Sequence, residues 1–371
     1  MAASVPYTSL ISPHLSQLTP YQAGKPLEEL ERELGLTDAI KLASNENPLG
    51  PSPLALAAIR DSLPNLHRYP DSHAYYLKKD LARHLKVAPQ QLLLGNGSDE
   101  VLDLLVRALV PPGGEVVSTT HTFLMYGLLT QAVGGFFRPV PLKEMRVDLK
   151  AVAQAVTPQT RLIILNNPNN PTGTAFGRAE WEAFLAAVPP TATVVLDEAY
   201  IDFADDPGVP SCLDYLAEDR SLVGLRTFSK AYGLAGLRIG YGFGPSELMD
   251  YLNRLRMPFN VNRLAQVAAR AALTDAAFLA RTREAVLAGK ELICRELARL
   301  GLTFVPTQAN FILIRVPRPG QEIYQAMLRE GVIIRAMDTY GFPDHIRVNM
   351  GLPEENRRFL EALQKVLGLA D

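Results

Sequence analysis

The sequence has little excess charge and few cysteines, and each shortage excludes a class of protein. Its 37 lysines and arginines against 39 aspartates and glutamates leave a formal net charge of −2, whereas nucleic-acid binding requires a basic surface that displaces counterions. Cys212 and Cys294 are too few for a disulfide framework or a zinc site, and we interpret them as small buried side chains in a reducing compartment. The six histidines show no HxH or HxxxH spacing, so no metal site is predicted.

Long uncharged stretches are also rare, and neither of the two that occur reads as a membrane helix. The stretch 2–24 carries three prolines, and 116–137 contains hydroxyl, imidazole and amide groups that would be costly in hydrocarbon. The N-terminus shows no basic segment followed by an apolar block, as a signal peptide would. With 47% apolar residues among 371, the chain can bury a large core. We expect a cytoplasmic globular protein that binds neither membranes nor nucleic acid.

From about residue 90, short apolar runs alternate with helical patterns. Such alternation is typical of βαβ units and predicts a mostly parallel sheet with helices on both faces. The predicted strands are 91–94, 115–118, 136–140, 161–165, 193–196, 221–225 and 239–243, with a helix at 98–110. Beyond about residue 258 the prediction is helix over 264–300 with a break near 274–275, strands at 311–315, 332–335 and 346–350, and helices at 321–330 and from 353.

The fold class predicted from this pattern is α/β. A large domain with a mostly parallel central sheet flanked by helices is followed by a smaller α+β domain. We divide the chain into an N-terminal arm and helix (1–45), the large domain (46–260), and a long helix with the C-terminal small domain (261–371). The arm is expected to pack on the small domain or on a partner subunit.

Four polar motifs directly follow predicted strands. They are Gly95–Asp99, Asn166–Gly173, Asp197–Tyr200 and Thr227–Lys230. In an open α/β sheet, ligands bind at the carboxyl ends of the strands. The four motifs are therefore predicted to meet at one edge of the sheet and to form a ligand site there.

Each motif on its own has a structural explanation as well as a chemical one. Gly95–Asp99 is either an anion cradle before a helix or an ordinary strand-to-helix turn, and Asn166–Gly173 is either a ligand loop or a surface turn. Asp197 ends the apolar run 194–196, so its carboxylate is either buried and in need of a cation or a satisfied helix cap. Lys230 is either a solvated surface amine or a desolvated nucleophile.

The Lys230 motif is the most informative, because its neighbourhood is nearly uncharged apart from Arg238. A desolvated lysine near a second cation loses proton affinity and becomes a usable amine. An amine, a buried carboxylate, an amide, a phenol and an anion cradle at strand ends have one common explanation, pyridoxal 5′-phosphate (PLP). The lysine would form the Schiff base, the carboxylate would meet the pyridinium nitrogen, and glycine, serine and arginine would hold the phosphate.

A longer series of segments has the order and spacing of a known family. They are Pro20-Tyr21-x-x-Gly24-Lys25, Asn45–Pro48, Arg68–Asp71, Gly97–Glu100, Asn169–Gly173, Asp197–Tyr200, Arg226–Arg238, Asn310-Phe311 and Arg347-Val348. With them the chain, from about residue 20 onwards, resembles the fold-type I PLP-dependent aminotransferases, and more closely the histidinol-phosphate aminotransferases. The order and spacing are very specific for the superfamily and less specific for the substrate.

The resemblance implies roles for individual residues. Lys230, Asp197 and Tyr200 would be catalytic: the lysine would form the Schiff base and move a proton at the substrate, and the aspartate would pair with the pyridinium nitrogen. Asn170 and Tyr200 would hydrogen-bond the ring oxygen. The remaining cofactor-binding residues would be Gly97, Ser98, Asp99, Thr227, Ser229 and Arg238 around the phosphate, and Phe123 stacked on the ring.

The resemblance also implies a homodimer with active sites at the subunit interface, in which Tyr69 would reach the neighbouring subunit's cofactor phosphate. The substrate would be bound by Arg347, Arg335, Tyr21 and Asn170. Two arginines suit a phosphate dianion because each can chelate oxygens bidentately. Arg335 could instead end a strand in a surface ion pair, and that alternative stays open.

The implied activity is transamination of L-histidinol phosphate with 2-oxoglutarate, giving imidazole acetol phosphate and L-glutamate in histidine biosynthesis. Two alternatives stay open, an aromatic amino-acid aminotransferase and a PLP decarboxylase of the kind that acts on threonine phosphate. A non-enzymatic regulator with this fold would need a basic DNA-binding domain, for which the chain lacks both length and charge. One departure precedes Phe123, where Thr120-His121 replaces the usual prolines. His121 could approach the site from this loop, but we favour the interpretation that it is a solvated loop histidine.

Overall fold

The computed structural model describes residues 6–217 and 221–369. Its α-helices are α1 (Leu27–Leu34), α2 (Pro53–Ser62), α3 (Tyr75–Leu85), α4 (Ser98–Leu109), α5 (Met125–Ala132), α6 (Leu149–Gln154), α7 (Arg178–Ala187), α8 (Ser246–Leu255), α9 (Arg263–Thr274), α10 (Ala276–Arg299), α11 (Gly320–Arg329) and α12 (Pro353–Leu367). Its strands are β1 (Ile40–Lys41), β2 (Leu92–Gly95), β3 (Glu115–Thr119), β4 (Phe136–Val140), β5 (Thr160–Asn166), β6 (Thr193–Asp197), β7 (Leu222–Thr227), β8 (Gly240–Phe243), β9 (Phe304–Val305), β10 (Phe311–Arg315), β11 (Val332–Ile333), β12 (Arg335–Ala336) and β13 (His345–Asn349). Among the described residues, no helix is both long and apolar enough to cross a bilayer.

A seven-stranded sheet forms the centre of the larger unit. Its strand order is β2-β8-β7-β6-β5-β3-β4. Strands β7, β6, β5, β3 and β4 are parallel, and β8 runs antiparallel to both of its neighbours. The predicted α/β class with a mostly parallel sheet is therefore confirmed, with one reversed strand inside it.

Helices cover both faces of this sheet because successive strand residues point to opposite sides. Leu162 and Ile164 of β5 join one core cluster with α4, α5 and α8, whereas Ile163 and Leu165 join the other with α2, α3, α7 and α9. All four side chains are buried. Burial on both faces explains why these strands read as continuous apolar runs in the sequence.

The C-terminal unit is built on a four-stranded antiparallel sheet in the order β12-β13-β10-β9. The single strand predicted at 332–335 is wrong, because the chain changes sheets at Ile334. Strand β11 pairs in parallel with β1, near the N-terminus, and β12 pairs with β13. The segment that follows β1 is thereby placed between the two units.

The domain boundaries remain a proposal. Helix α9 contributes Ala265, Ala268, Ala269 and Ala272 to the core of the large sheet, so its packing favours a large unit that continues to Asp275 rather than to residue 260. In the N-terminal arm, α1 buries Leu30 in a cluster with residues of α11 and β11. The short turn before it meets α5, where the His14 ring bonds the Ala132 carbonyl at 3.0 Å.

Candidate active site

A cavity of about 390 Å³ opens at the carboxyl ends of β5, β6 and β7, beside the N-terminus of α4. Eleven of the predicted site residues line it, namely Gly97, Ser98, Asp99, Phe123, Asn170, Asp197, Tyr200, Thr227, Ser229, Lys230 and Arg238. The motifs that follow four different strands thus do meet at one edge of the sheet. Tyr69, Arg335, Tyr21 and Arg347 are not part of this lining.

Asp197 is the last residue of β6, and its carboxylate is buried at the floor of the cavity. The Tyr126 hydroxyl donates to Oδ2 at 2.8 Å and the Ala199 N–H donates to Oδ1 at 3.1 Å. Both partners are neutral. Burial raises the pKa of Asp197 to about 6, although the two hydrogen bonds oppose the change. A cation placed against this carboxylate would relieve the cost of its burial.

Lys230 lies three residues beyond β7 and extends its amine into the same cavity. Its Nζ donates to the Ser44 carbonyl at 3.0 Å and lies 5.9 Å from the centre of the Tyr200 ring. Burial and the nearby Arg347 guanidinium lower the pKa of Lys230 to about 8. At pH 7 the amine is therefore mostly protonated, but about a tenth of it is neutral, as a nucleophile or a general base requires, against less than about a thousandth for an ordinary lysine.

Tyr200 and Asn170 form the wall opposite the anion cradle. The Tyr200 hydroxyl accepts a hydrogen bond from Asn45 Nδ2 at 2.9 Å, and burial raises the pKa of this phenol to about 12. Asn170 Oδ1 accepts from Nη1 of Arg347 at 2.5 Å. Tyr200 is therefore a neutral hydrogen-bond donor near pH 7, and Asn170 is held by a cation.

Arg347, on β13, is buried between the two units. Besides Asn170, it meets the Ala43 carbonyl through Nη2 at 2.9 Å. Its Nε is buried and has no hydrogen-bond partner among the described residues. A buried guanidinium whose donors are not all used has capacity for an anion.

The turn between β2 and α4 is shaped for a close approach. Gly97 has φ +83°, and a Cβ on it would lie 2.7 Å from Nη2 of Arg238. A Cβ on Gly240 would lie only 2.3 Å from the Ser98 nitrogen. The first N–H groups of α4 have no partner inside the helix, so together with Arg238 they offer an anion site. This guanidinium lies 3.3 Å from Oδ2 of Asp99, an exposed ion pair that an anion can displace.

Arg335 and Tyr69 lie outside the cavity. Nη2 of Arg335 donates to the Gln22 carbonyl at 2.6 Å, and this side chain lines a separate cavity of about 160 Å³. Within residues 6–217 and 221–369, Arg335 forms no ion pair such as the alternative for it supposes. Tyr69 is 78% exposed and stacks on Phe259 with ring centres 4.6 Å apart. Among the described residues its ring contacts Phe259 and its carbonyl accepts from Arg263, and neither of these partners lines the cavity.

Tyr21 and His121 lie on the C-terminal side of the cavity. Tyr21 contacts the cavity-lining Phe123 edge to face, with ring centres 6.5 Å apart. The interpretation of His121 as a solvated side chain is wrong, because it is partly buried. Its Nδ1 bonds the Tyr340 carbonyl at 2.6 Å and its ring packs on Phe342 at 4.1 Å. It joins the two units and does not line the cavity.

Tyr126 and Asn45 have no predicted role, yet each makes a hydrogen bond to a residue of the site. Tyr126 lies in the first turn of α5, three positions after Phe123, and its N–H donates to the Phe123 carbonyl, so this spacing could have suggested a partner below the cavity. Asn45 belongs to a quoted motif, but its contact with Tyr200 spans 155 positions. No local pattern in the sequence indicates such a contact.

The comparisons with known proteins agree with this fold. The family described as aminotransferase class I and II matches residues 37–363. A Pseudomonas fluorescens protein named histidinol-phosphate aminotransferase 2 is 50% identical over 98% of this chain and 99% of its own length, and a Moorella thermoacetica histidinol-phosphate aminotransferase is 47% identical over 94% and 91%. The crystal structure of histidinol-phosphate aminotransferase from Sinorhizobium meliloti with pyridoxal-5′-phosphate superposes with a TM-score of 0.89 at 30% identity, covering 97% and 98% of the two chains.

Fold and cavity together define a fold-type I transferase. A Thermus thermophilus aspartate aminotransferase shares that fold, with a TM-score of 0.84 at 24% identity over 96% of this chain and 99% of its own. The chain belongs to the class I and II aminotransferases. The expected fold type and enzyme class are thereby confirmed.

Proposed function

We propose that the protein is a PLP-dependent transaminase of histidine biosynthesis, converting L-histidinol phosphate and 2-oxoglutarate to imidazole acetol phosphate and L-glutamate. The observation that carries the reaction class is the cavity that holds both the Lys230 amine and the buried Asp197 carboxylate. The names of relatives up to 50% identical over nearly the whole chain support histidinol phosphate as a substrate.

The residues present fit PLP group by group. Asp197 is a buried carboxylate with neutral partners, which suits a ring N–H⁺. Gly97 and Gly240 leave room where a Cβ would collide, beside Arg238 and the N-terminus of α4, which suits a phosphate. Tyr200 supplies a neutral phenol for the ring oxygen. Phe123, which lines the cavity, offers its ring for stacking.

Bound PLP supplies an electron-accepting ring that makes the substrate Cα proton acidic. Lys230 is proposed to attach the cofactor and then, as a free amine, to take the proton from the substrate Cα and deliver it to C4′ of the cofactor. Asp197 holds the ring nitrogen's proton. Because its pKa is about 6 before that cation is present, it is mostly ionised at pH 7. Positive charge beside it strengthens this preference.

Substrate anions are proposed to bind at Arg347, with Asn170 beside it. Its Nη1 contacts Asn170, and its unpaired Nε marks unused donor capacity. Arg335 and Tyr21 are proposed to complete the site for the phosphate. Arg335 holds a carbonyl of the N-terminal arm, at Gln22, one residue from Tyr21, so the arm and this guanidinium can meet a phosphate together.

Arg347→Ala is expected to raise KM about 10- to 100-fold for both histidinol phosphate and 2-oxoglutarate, because charge-assisted hydrogen bonds are lost from both substrates. Initial rates with each substrate varied in turn measure this. Arg335→Ala is the comparison and should affect the phosphate substrate alone. If Arg347→Ala affects only the oxo acid, the phosphate belongs to Arg335. If neither KM changes, Arg347 is not in the substrate site.

The visible spectrum of the PLP-loaded protein tests the activity and its alternatives together. Histidinol phosphate without an oxo acid should bleach the yellow band, and 2-oxoglutarate should restore it. A band that ignores histidinol phosphate but bleaches with phenylalanine or tyrosine would favour the aromatic aminotransferase. Release of carbon dioxide from threonine phosphate would favour the decarboxylase. No band after incubation with PLP would contradict the proposed role of Lys230.

The protein is proposed to be a homodimer, and the face around Tyr69 is the support for it. Tyr69, Tyr75, Tyr76 and Met257 are all more than half exposed, and Phe259 lies among them, stacked on Tyr69. Large exposed apolar patches mark interaction sites, and in a twofold dimer the same face serves both subunits. Tyr69, which serves no site in its own chain, is then available to the neighbour's.

Mixed dimers test the exchange of Tyr69 between subunits. Tyr69→Phe keeps the ring on Phe259 and removes only the hydroxyl, and Lys230→Ala removes the amine. Each homodimer should be impaired. Equal mixing with subunit exchange should raise activity towards about a quarter of wild type, because half the dimers then contain one intact site. A mixture with only half the activity of Tyr69→Phe would place this hydroxyl in its own subunit's site.

A further inference from the structure

The segment 43–47 is the only part of the described N-terminal region that contacts Lys230, Tyr200 and Arg347 alike. It follows β1 and lies between the two units. Within it, Asn45 is 2% exposed and sends its side-chain amide to the Tyr200 hydroxyl at 2.9 Å. We propose that Asn45 is a positioning residue that directs the Tyr200 hydroxyl proton into the cavity.

Asn45 is held on its other sides by the C-terminal unit. Its N–H donates to Oδ1 of Asn349 at 3.1 Å, and its carbonyl accepts from Nδ2 of Asn310 at 3.1 Å. Its φ is +56°, a left-handed conformation that asparagine tolerates better than most residues. These two hydrogen bonds fix the backbone from which the side chain extends, and the side-chain amide reaches Tyr200 through Nδ2, while its Oδ1 is buried without a hydrogen-bond partner among the described residues.

The sense of this hydrogen bond decides what Tyr200 can do. A phenol has one O–H to donate. When its oxygen accepts from Nδ2 of Asn45, the proton remains free for a group in the cavity that Tyr200 lines. An acceptor at position 45 would instead take that proton. Hydrogen bonds in a chain polarise one another, so the donor at Asn45 also makes the phenol a stronger donor.

This inference rests on the proposed function in one respect, since the group that receives the proton is the ring oxygen of PLP. Donation to that oxygen competes with the proton shared between the oxygen and the lysine-linked imine, so it stabilises the deprotonated form, which lacks the yellow band. Anything that weakens the donation should therefore raise the pH midpoint of the visible band. Tyr200→Phe sets the upper limit of the effect.

Two variants remove the donor without steric strain. Asn45→Gly deletes the amide and tolerates the positive φ, and Asn45→Asp keeps the shape but cannot donate. Asn45→Gly should raise the midpoint of the band by about 0.5 to 1 pH unit, the size of one hydrogen bond. Asn45→Asp should raise it at least as much. Both should weaken PLP binding to the cofactor-free protein, measured by titration.

The double variant with Tyr200→Phe separates positioning from general disruption. If Asn45 acts through the hydroxyl, Asn45→Gly shifts the midpoint no further in that background. Asn310→Ala is the matched control, because it removes a hydrogen bond to the Asn45 carbonyl and leaves the side-chain amide in place. It should lower the melting temperature without moving the midpoint.

Three results would overturn the inference. They are an unchanged midpoint in Asn45→Gly, a shift that persists in full in the Tyr200→Phe background, and an equal shift in Asn310→Ala. Each of these three results can be observed only if the PLP-loaded protein shows a visible band. Failure of the proposed function itself would show as the absence of a band in the wild-type protein, so the two failures are distinguishable.

Discussion

Lys230→Ala is expected to lower turnover by about 10³-fold or more and to abolish the yellow band of the PLP-loaded protein. Of the described residues that line the cavity, Lys230 carries the only amine, so nothing else there can take over its chemistry. Lys230→Arg is the matched control, since it keeps the positive charge but supplies no usable amine. It should be nearly as inactive. Turnover and a band that both persist in Lys230→Ala would refute the assignment.

Lys230→Ala also serves to assign the NMR resonance of the Lys230 amine in the cofactor-free protein. After reductive methylation with a ¹³C reagent, one lysine resonance should titrate near pH 8, because burial lowers the pKa of Lys230 to about 8. This amine is protonated below that pH and neutral above it. Exposed lysines titrate near about 10.4. The resonance should be absent from Lys230→Ala; its presence there would assign the lowered pKa to another lysine.

Asp197→Asn is expected to reduce turnover by about 10²- to 10³-fold and to weaken PLP binding. The substitution keeps the shape of the side chain and removes the one buried negative charge facing the proposed ring nitrogen. Tyr126→Phe is the comparison, since it keeps the carboxylate and deletes only the hydrogen bond to it. Tyr126→Phe should reduce turnover and PLP binding less than Asp197→Asn does. Near wild-type kinetics in Asp197→Asn would show that no cation is held there.

The pH dependence of the free energy of unfolding gives an independent check on the raised pKa of the Asp197 carboxyl. Its pKa rises from 3.8 to about 6 in the folded, cofactor-free protein, so the folded state binds the proton more tightly than the unfolded state. The free energy of unfolding should therefore fall as pH rises from about 4 to about 6. Asp197→Asn should lack this part of the dependence. Chemical denaturation across that pH range measures it, and identical profiles would contradict the raised pKa.

Much of the fold could be predicted because strand ends and apolar runs are local features. The break near residue 274 and the strand at 311–315 lie where the sequence indicates. The reversed direction of β8 was not predicted, because all four of its residues are buried and a strand buried on both faces resembles one of a parallel sheet. The split at Ile334 depends on β1, whose partner lies nearly 300 positions away in the chain.

The site could be predicted in part, and for a similar reason. Motifs that follow parallel strands must share one edge of the sheet, which brings Asp197 and Lys230 together without knowledge of any contact. The apolar run before Asp197 also predicts its burial. The partners that tune these groups, Tyr126 and Asn45, come from an adjoining helix and from the N-terminal segment. Their positions are set by tertiary packing.

The contacts of residues 43–45 with β13 have a consequence for folding during synthesis on the ribosome. Ala43 and Asn45 bond Arg347 and Asn349 across 304 positions of the chain. On the ribosome, the large sheet can assemble once β8 has emerged, but these contacts must wait until almost the whole chain has been translated. A nascent chain arrested before β13 would display the anion cradle and Lys230 in an unclosed cavity, so the last segment synthesised is the one that makes the enzyme competent.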